Sequence, residues 1–120
     1  MLPKLFRITD KKDFSYIFKN SRAYHSPLLT FRVAKRRGNA DQLPTRFAFI
    51  ISKKAEKLAV KRNLYRRRLH AISLLLISSL KKGYDVVVIL KSNPKPDYSY
   101  KVLKEEFESG LKKLGISNDN

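Results

Sequence analysis

The sequence predicts one mixed α/β domain with elements in the order α-β-β-α-β-α, and three observations predict it. Apolar residues recur at helical spacing near residues 14–18, from about 60 to 80, and again beyond residue 99. Between these segments stand short runs rich in β-branched and aromatic residues, of which Asp85-Val86-Val87-Val88-Ile89-Leu90 is the clearest. The chain has 120 residues, 42% of them hydrophobic, which is enough for one modest core and too little for two. Residues 1–120 are therefore read as a single domain.

Phe14, Ile17 and Phe18 are spaced i, i+3, i+4 and share one helical face, with Thr9 as N-cap, which predicts a helix over about Asp10 to Asn20. Ser26-Pro27 breaks that pattern. Leu28 to Val33 then alternates as a strand, with Leu29, Phe31 and Val33 on one face and Leu28, Thr30 and Arg32 on the other. Residues 35–44 are polar and contain Gly38 and Pro44, so they form a loop. Phe47 to Ile51 is continuously apolar, as expected of a strand covered on both faces.

From about Val60 to Leu80 the period becomes helical. Leu64, Tyr65, Leu69, Ile72, Leu75 and Leu76 fall in one half of the wheel; Arg62, Asn63, Arg66, Arg67, His70 and Ser73 fall in the other. Arg68 lies inside the apolar arc, where its long stem can run along the core surface to reach solvent or phosphate. Gly83 is placed as the stop of this helix, Asn93-Pro94-Lys95-Pro96 as a linker, and Ser99 to Leu114 as a final helix burying Val102, Leu103, Phe107, Leu111 and Leu114.

Charge narrows the partner. The chain carries 27 Lys and Arg against 10 Asp and Glu, a net charge of +17, far more than solubility requires. A polyanion is the expected partner. Between Lys53 and Arg68 stand eight basic side chains and one acid, Glu56, so one helix concentrates self-repulsion that bound phosphate would relieve. Arginine, with its planar fork, holds two phosphate oxygens or stacks on a base, and Asn63 both donates and accepts on the same surface. Such a helix also fits the major groove of B-DNA. RNA recognition adds aromatic platforms for unpaired bases, and Phe14, Phe18 and Phe31 stand close to basic residues; core packing is the competing reading of Phe14 and Phe18.

Other chemistry is poorly served. Without cysteine there is neither a disulfide framework nor a thiolate metal site, which fits a reducing compartment. His25 and His70 are far apart, and His70 has no evident group to orient it as a general base. Glu105, Glu106 and Glu108 alternate with lysines as exposed helix pairs do. No signal-length apolar run is present, so a soluble, cytoplasmic protein with no membrane partner is expected.

The stretch Ser52-Lys53-Lys54-Ala55-Glu56-Lys57-Leu58-Ala59-Val60-Lys61-Arg62-Asn63-Leu64-Tyr65-Arg66-Arg67 resembles the signature of the bacterial ribonuclease P protein family: a strand ending in Ser-Lys-Lys, a short connection, then Arg-Asn and a basic pair three residues on. The resemblance extends along nearly the whole chain, including Asp13-Phe14 and Ile17-Phe18. It implies a two-layer α/β sandwich with a left-handed βαβ crossover, an exception to the usual hand. It further implies that Lys53, Lys54, Arg62, Asn63, Arg66, Arg67 and His70 face the catalytic ribonuclease P RNA, and that Phe14, Phe18 and Phe31 line a cleft for the 5′ leader of precursor tRNA. Leu64 and His70 depart from the family pattern, which usually has basic residues at both positions.

The function so implied is that of a non-catalytic protein subunit of an endoribonuclease that removes tRNA 5′ leaders. The RNA and substrate would hold Mg²⁺, and neither a metal ligand nor a catalytic residue in the protein, nor an obligate protein partner, is implied. Two rivals remain open on composition alone: a structural RNA-binding protein such as a ribosomal component, and a DNA-binding helix-turn-helix, for which a preceding short helix and turn are missing.

Overall fold

Alternation along residues 29–35 puts Leu29, Phe31 and Val33 on one face of a sheet and Thr30, Arg32 and Ala34 on the other. The computed structural model describes residues 2–94 and 97–118, so the linker expected at 93–96 lies partly outside the described residues. After a 3-10 turn at Lys4–Phe6 come α1 (Lys11–Asn20), β1 (Arg22–His25), β2 (Leu29–Lys35), β3 (Arg46–Ile50), α2 (Ala59–Leu76), a second 3-10 turn (Ile77–Ser79), β4 (Tyr84–Leu90) and α3 (Tyr100–Lys113). The strand order is β1-β2-β4-β3. β1–β2 and β2–β4 pair antiparallel, while β3 and β4 pair parallel and are joined through α2 in a βαβ unit.

Leu29, Phe31 and Val33 point to the face that α2 and α3 cover, and there they join Phe47, Leu69, Ile72, Val86, Val88, Leu103, Phe107 and Leu111 in the main core. Phe31 meets Phe107 edge-on with ring centroids 5.8 Å apart. Its ring also lies over Gly110, where an added Cβ would come within 2.4 Å of Phe31 Cε1, so only glycine lets α3 settle this deeply. The opposite face carries α1 and a smaller cluster of Ile8, Ile17, Ala34 and Val87.

Several expectations shift in detail. Asp10 caps α1 in place of Thr9, its side chain accepting from the Lys12 amide at 2.8 Å. The strand β1 has no apolar alternation to announce it; pairing with β2 creates it. As an edge strand β3 is covered on both faces only in part, with Phe47 buried but Ile50 37% exposed. α2 stops at Leu76, and its last turns are rotated from the expected wheel: Leu75 is exposed and Ser73 fully buried, its hydroxyl satisfied by donation to His70 O at 2.8 Å. Gly83 does not end that helix. It sits four residues beyond the 3-10 turn at φ 88°, against the Asp41 backbone, and turns the chain into β4.

Candidate nucleic-acid interface

The candidate residues fall on two surfaces. On α2, Asn63, Arg66, Arg67, His70, Ala71 and Leu74 line a concavity of about 500 Å³. Asn63 Oδ1 accepts from Arg66 Nη1 at 3.1 Å, which holds that guanidinium upright on the helix surface. Arg67, Lys53 and Lys54 are exposed, the two lysines on the turn that follows β3. Arg62 is more constrained than expected, because Nη1 donates to both Glu56 O and Lys57 O at 2.8 Å and so fastens the connection onto the start of the helix. None of these cations forms an ion pair among the described residues.

His70 differs from an ordinary surface cation. Its Nδ1 accepts from the Leu2 amide at 3.2 Å, and its ring lies 4.9 Å from that of Phe49. Burial first, then the charges of Arg66 and Arg7, depress its pKa below the ordinary 6.5. The ring is therefore neutral near pH 7 and supplies no charge to phosphate. Arg68 also finds an account: Nη1 donates to Tyr98 O at 2.7 Å and the guanidinium stands 5.9 Å from the Tyr65 ring, tying α2 to the segment ahead of α3.

The second surface is the α1 face of the sheet. Strand register lays it out in rows: Ala34-Asp85-Arg46, then Arg32-Val87-Ala48, then Thr30-Ile89-Ile50. α1 covers the first two rows. The third is open in part, with Thr30 and Ile89 half-buried and Ile50 exposed. Phe14 is half-buried against this face, and Phe18 is 46% exposed with the Arg32 guanidinium 5.6 Å from its ring centroid. An aromatic ring, a guanidinium and an apolar strip thus stand together, a surface that can stack an unpaired base while holding a phosphate. Phe31 is not part of it. Its side chain is fully buried on the opposite face, which corrects its assignment to the leader cleft: parity along β2 places Thr30 and Arg32 in the cleft instead.

An ion network, unseen in the sequence, fixes α1 over the sheet. Arg46 donates to Asp85 at 2.7 and 2.8 Å and to Asp13 at 3.2 Å, while Arg37 Nε donates to Asp13 at 2.7 Å. Burial alone would raise the Asp13 carboxyl, but the hydrogen bond from Arg37 and the charge of Arg46 outweigh it and hold the pKa below its ordinary 3.8. Spacing could not reveal this network, because its members are distant in sequence and meet only through strand register.

Taken together, these features define a small basic α/β sandwich with a carboxylate-free helix face on one side of the sheet and, on the other, an exposed aromatic ring beside a guanidinium. Comparison with known proteins narrows the class. A family model described as Ribonuclease P matches residues 2–115. A ribonuclease P protein component from Prochlorococcus marinus is 37% identical over 128 residues, covering 98% of both chains, and one from Clostridium botulinum is 30% identical over 93% of this chain and 96% of its own. The ribonuclease P protein of Staphylococcus aureus superimposes with a TM-score of 0.80 at 22% identity, covering 96% of this chain and all of that one; that of Thermotoga maritima gives 0.62 at 24% identity over 90% and 93%. The chain belongs to the ribonuclease P protein family, whose work is tRNA processing. No helix among the described residues is long and apolar enough to cross a membrane.

Proposed function

We propose that this chain binds the RNA subunit of ribonuclease P through α2 and the turn at Lys53 and Lys54, and the 5′ leader of precursor tRNA across the α1 face. In this way it assists Mg²⁺-dependent endonucleolytic removal of the leader. The observation that carries the reading is the division of labour between two surfaces: the half-buried Arg66 and exposed Arg67 of α2 lack carboxylate partners among the described residues, whereas the aromatic cleft lies on the other side of the sheet. Among the described residues no three His, Asp or Glu side chains are grouped so as to hold a metal ion. In this reading Mg²⁺, and with it activation of the attacking water, belongs to the RNA and the substrate; the protein contributes affinity and stabilises the active RNA form.

Reconstitution tests the reading. Added to ribonuclease P RNA at low Mg²⁺, the protein is expected to restore cleavage of precursor tRNA. Reversing charge at Arg66 and Arg67 should flatten the salt dependence of RNA-subunit binding by about 0.7 to 0.9 in log-log slope for each phosphate that is no longer neutralised. A complex that stays inactive, with the RNA still bound, would move the protein to a structural RNA-binding role.

A further inference from the structure

The N-terminal segment carries a cation, Arg7, for which the described residues supply no ion-pair partner. Arg7 forms a parallel bridge to Phe47, and the Ile8 amide donates to Phe47 O at 3.0 Å, so this segment adds one rung beyond the edge of β3. Bridged residues project to the same face of a sheet. Because Phe47 points into the α2–α3 core, the Arg7 side chain lies on the α2 face, while Ile8 turns to the α1 side. Leu2, from the same segment, is buried and donates its amide to His70 on α2. The segment is thus fastened to α2 and β3 at separate points, and its arginine is held in place.

Arg7 Nε is buried and has no hydrogen-bond partner among the described residues. Nor does the guanidinium have a carboxylate within ion-pair reach there: the pairs formed belong to Arg37, Arg46 and Lys104. An unpaired buried donor is costly, and a structure that retains one invites an acceptor from outside. The nearest arginine of α2 along the helix is Arg66, one turn before His70, the residue that holds Leu2 of this segment. One guanidinium brought by the N-terminal segment and another standing on α2 suit a phosphodiester, whose two free oxygens accept from both.

We infer that Arg7 belongs to the RNA-binding face, where with Arg66 it holds a phosphodiester of the RNA subunit, so that the interface is a composite of α2 and the N-terminal segment. This rests on the reading that α2 binds that RNA. The site also accounts for a neutral His70 on an otherwise cationic surface: the ring anchors the segment that delivers Arg7.

The test is the salt dependence of binding by the full chain to ribonuclease P RNA and, separately, to precursor tRNA, for the wild type, Arg7→Gln, Arg7→Lys and a double reversal at Arg66 and Arg67. Arg7→Gln is expected to lower the log-log slope on the RNA subunit by about 0.7 to 0.9, Arg7→Lys to keep it, and precursor tRNA to give an unchanged slope. A wild-type slope for Arg7→Gln on the RNA subunit would overturn the inference, as would a loss confined to precursor tRNA. If the double reversal lowers the slope and Arg7→Gln does not, the composite interface alone fails; if neither does, the α2 reading itself fails. Should Arg7→Gln not fold, arginine modification of the wild type by a phenylglyoxal, read by mass spectrometry, decides: RNA-subunit binding is expected to protect Arg7, and full reactivity in the complex would refute the proposed phosphate site.

Discussion

The two faces of the sheet are built on different principles. The α2–α3 face is closed, with Phe31, Phe47 and Phe107 interlocked at the centre of the main core. The α1 face holds four buried hydrophobic residues, a charged network where a wider core would otherwise be, and a row left partly open. Concentrating stability on one face leaves the other free to remain unfinished. Exposed side chains such as Phe18 and Ile50 would be a defect in the first core; on the second face they are the open apolar surface that the proposed function uses.

The sharpest way to break this comparison is to empty a site on each side. Phe31→Ala should destabilise the fold by about 3 to 5 kcal/mol in urea denaturation, as expected for a large core truncation. A loss of leader affinity without a loss of stability would show that Phe31 reaches the cleft after all. Asp85→Ala should cost nearly as much, about 3 to 5 kcal/mol, because it removes the deeper partner of a mostly buried Arg46. Replacing Arg46 and Asp85 together by apolar residues should be milder than the single change; an additive double mutant would demote the network to surface charge.

On the open face the expected effect moves from stability to binding. Phe18→Ala should leave stability within about 0.5 kcal/mol and weaken binding of leader-bearing precursor tRNA by about 1 to 3 kcal/mol, with mature tRNA unaffected. A large fall in melting temperature would place Phe18 in the core. The smallest effect is expected from His70. Because folding favours its neutral form, the stability tied to His70 is complete above the ordinary pKa of 6.5 and is lost as pH falls through that value toward the lower folded one. Urea midpoints across this window should slope in the wild type and flatten in His70→Gln.

What the sequence could reveal follows from how local each signal is. α1, β2, β4 and α3 are written in side-chain periodicity and emerge within a residue or two of their expected ends. The segment Arg22-Ala23-Tyr24-His25 carries no such pattern, because it becomes a strand only by pairing with β2. Phe31 is instructive in another way: parity already set it on one face with the apolar Leu29 and Val33, while nearby basic residues and the family resemblance drew it to the cleft. Arg7 and the Asp13-Arg46-Asp85 network depend on the meeting of distant segments, and no spacing rule reaches them.

The carboxylates that pin α1 also shape how the molecule meets its partner. Of the five acids in the first 96 residues, four share one corner: Asp10 and Asp13 on α1, Asp85 at the start of β4, and Asp41, whose backbone packs on Gly83. That corner lies at the end of the parallel strands where β3 and β4 begin, whereas Lys53, Lys54 and the first turns of α2 follow the end where β3 finishes. A cationic molecule with four of its ten acids gathered at one corner and a run of cations at the other end of the strands tumbles in a field that is far from uniform. Near RNA it turns the basic pole forward before any atom touches, which raises the association rate at low ionic strength and makes that rate fall as salt is added.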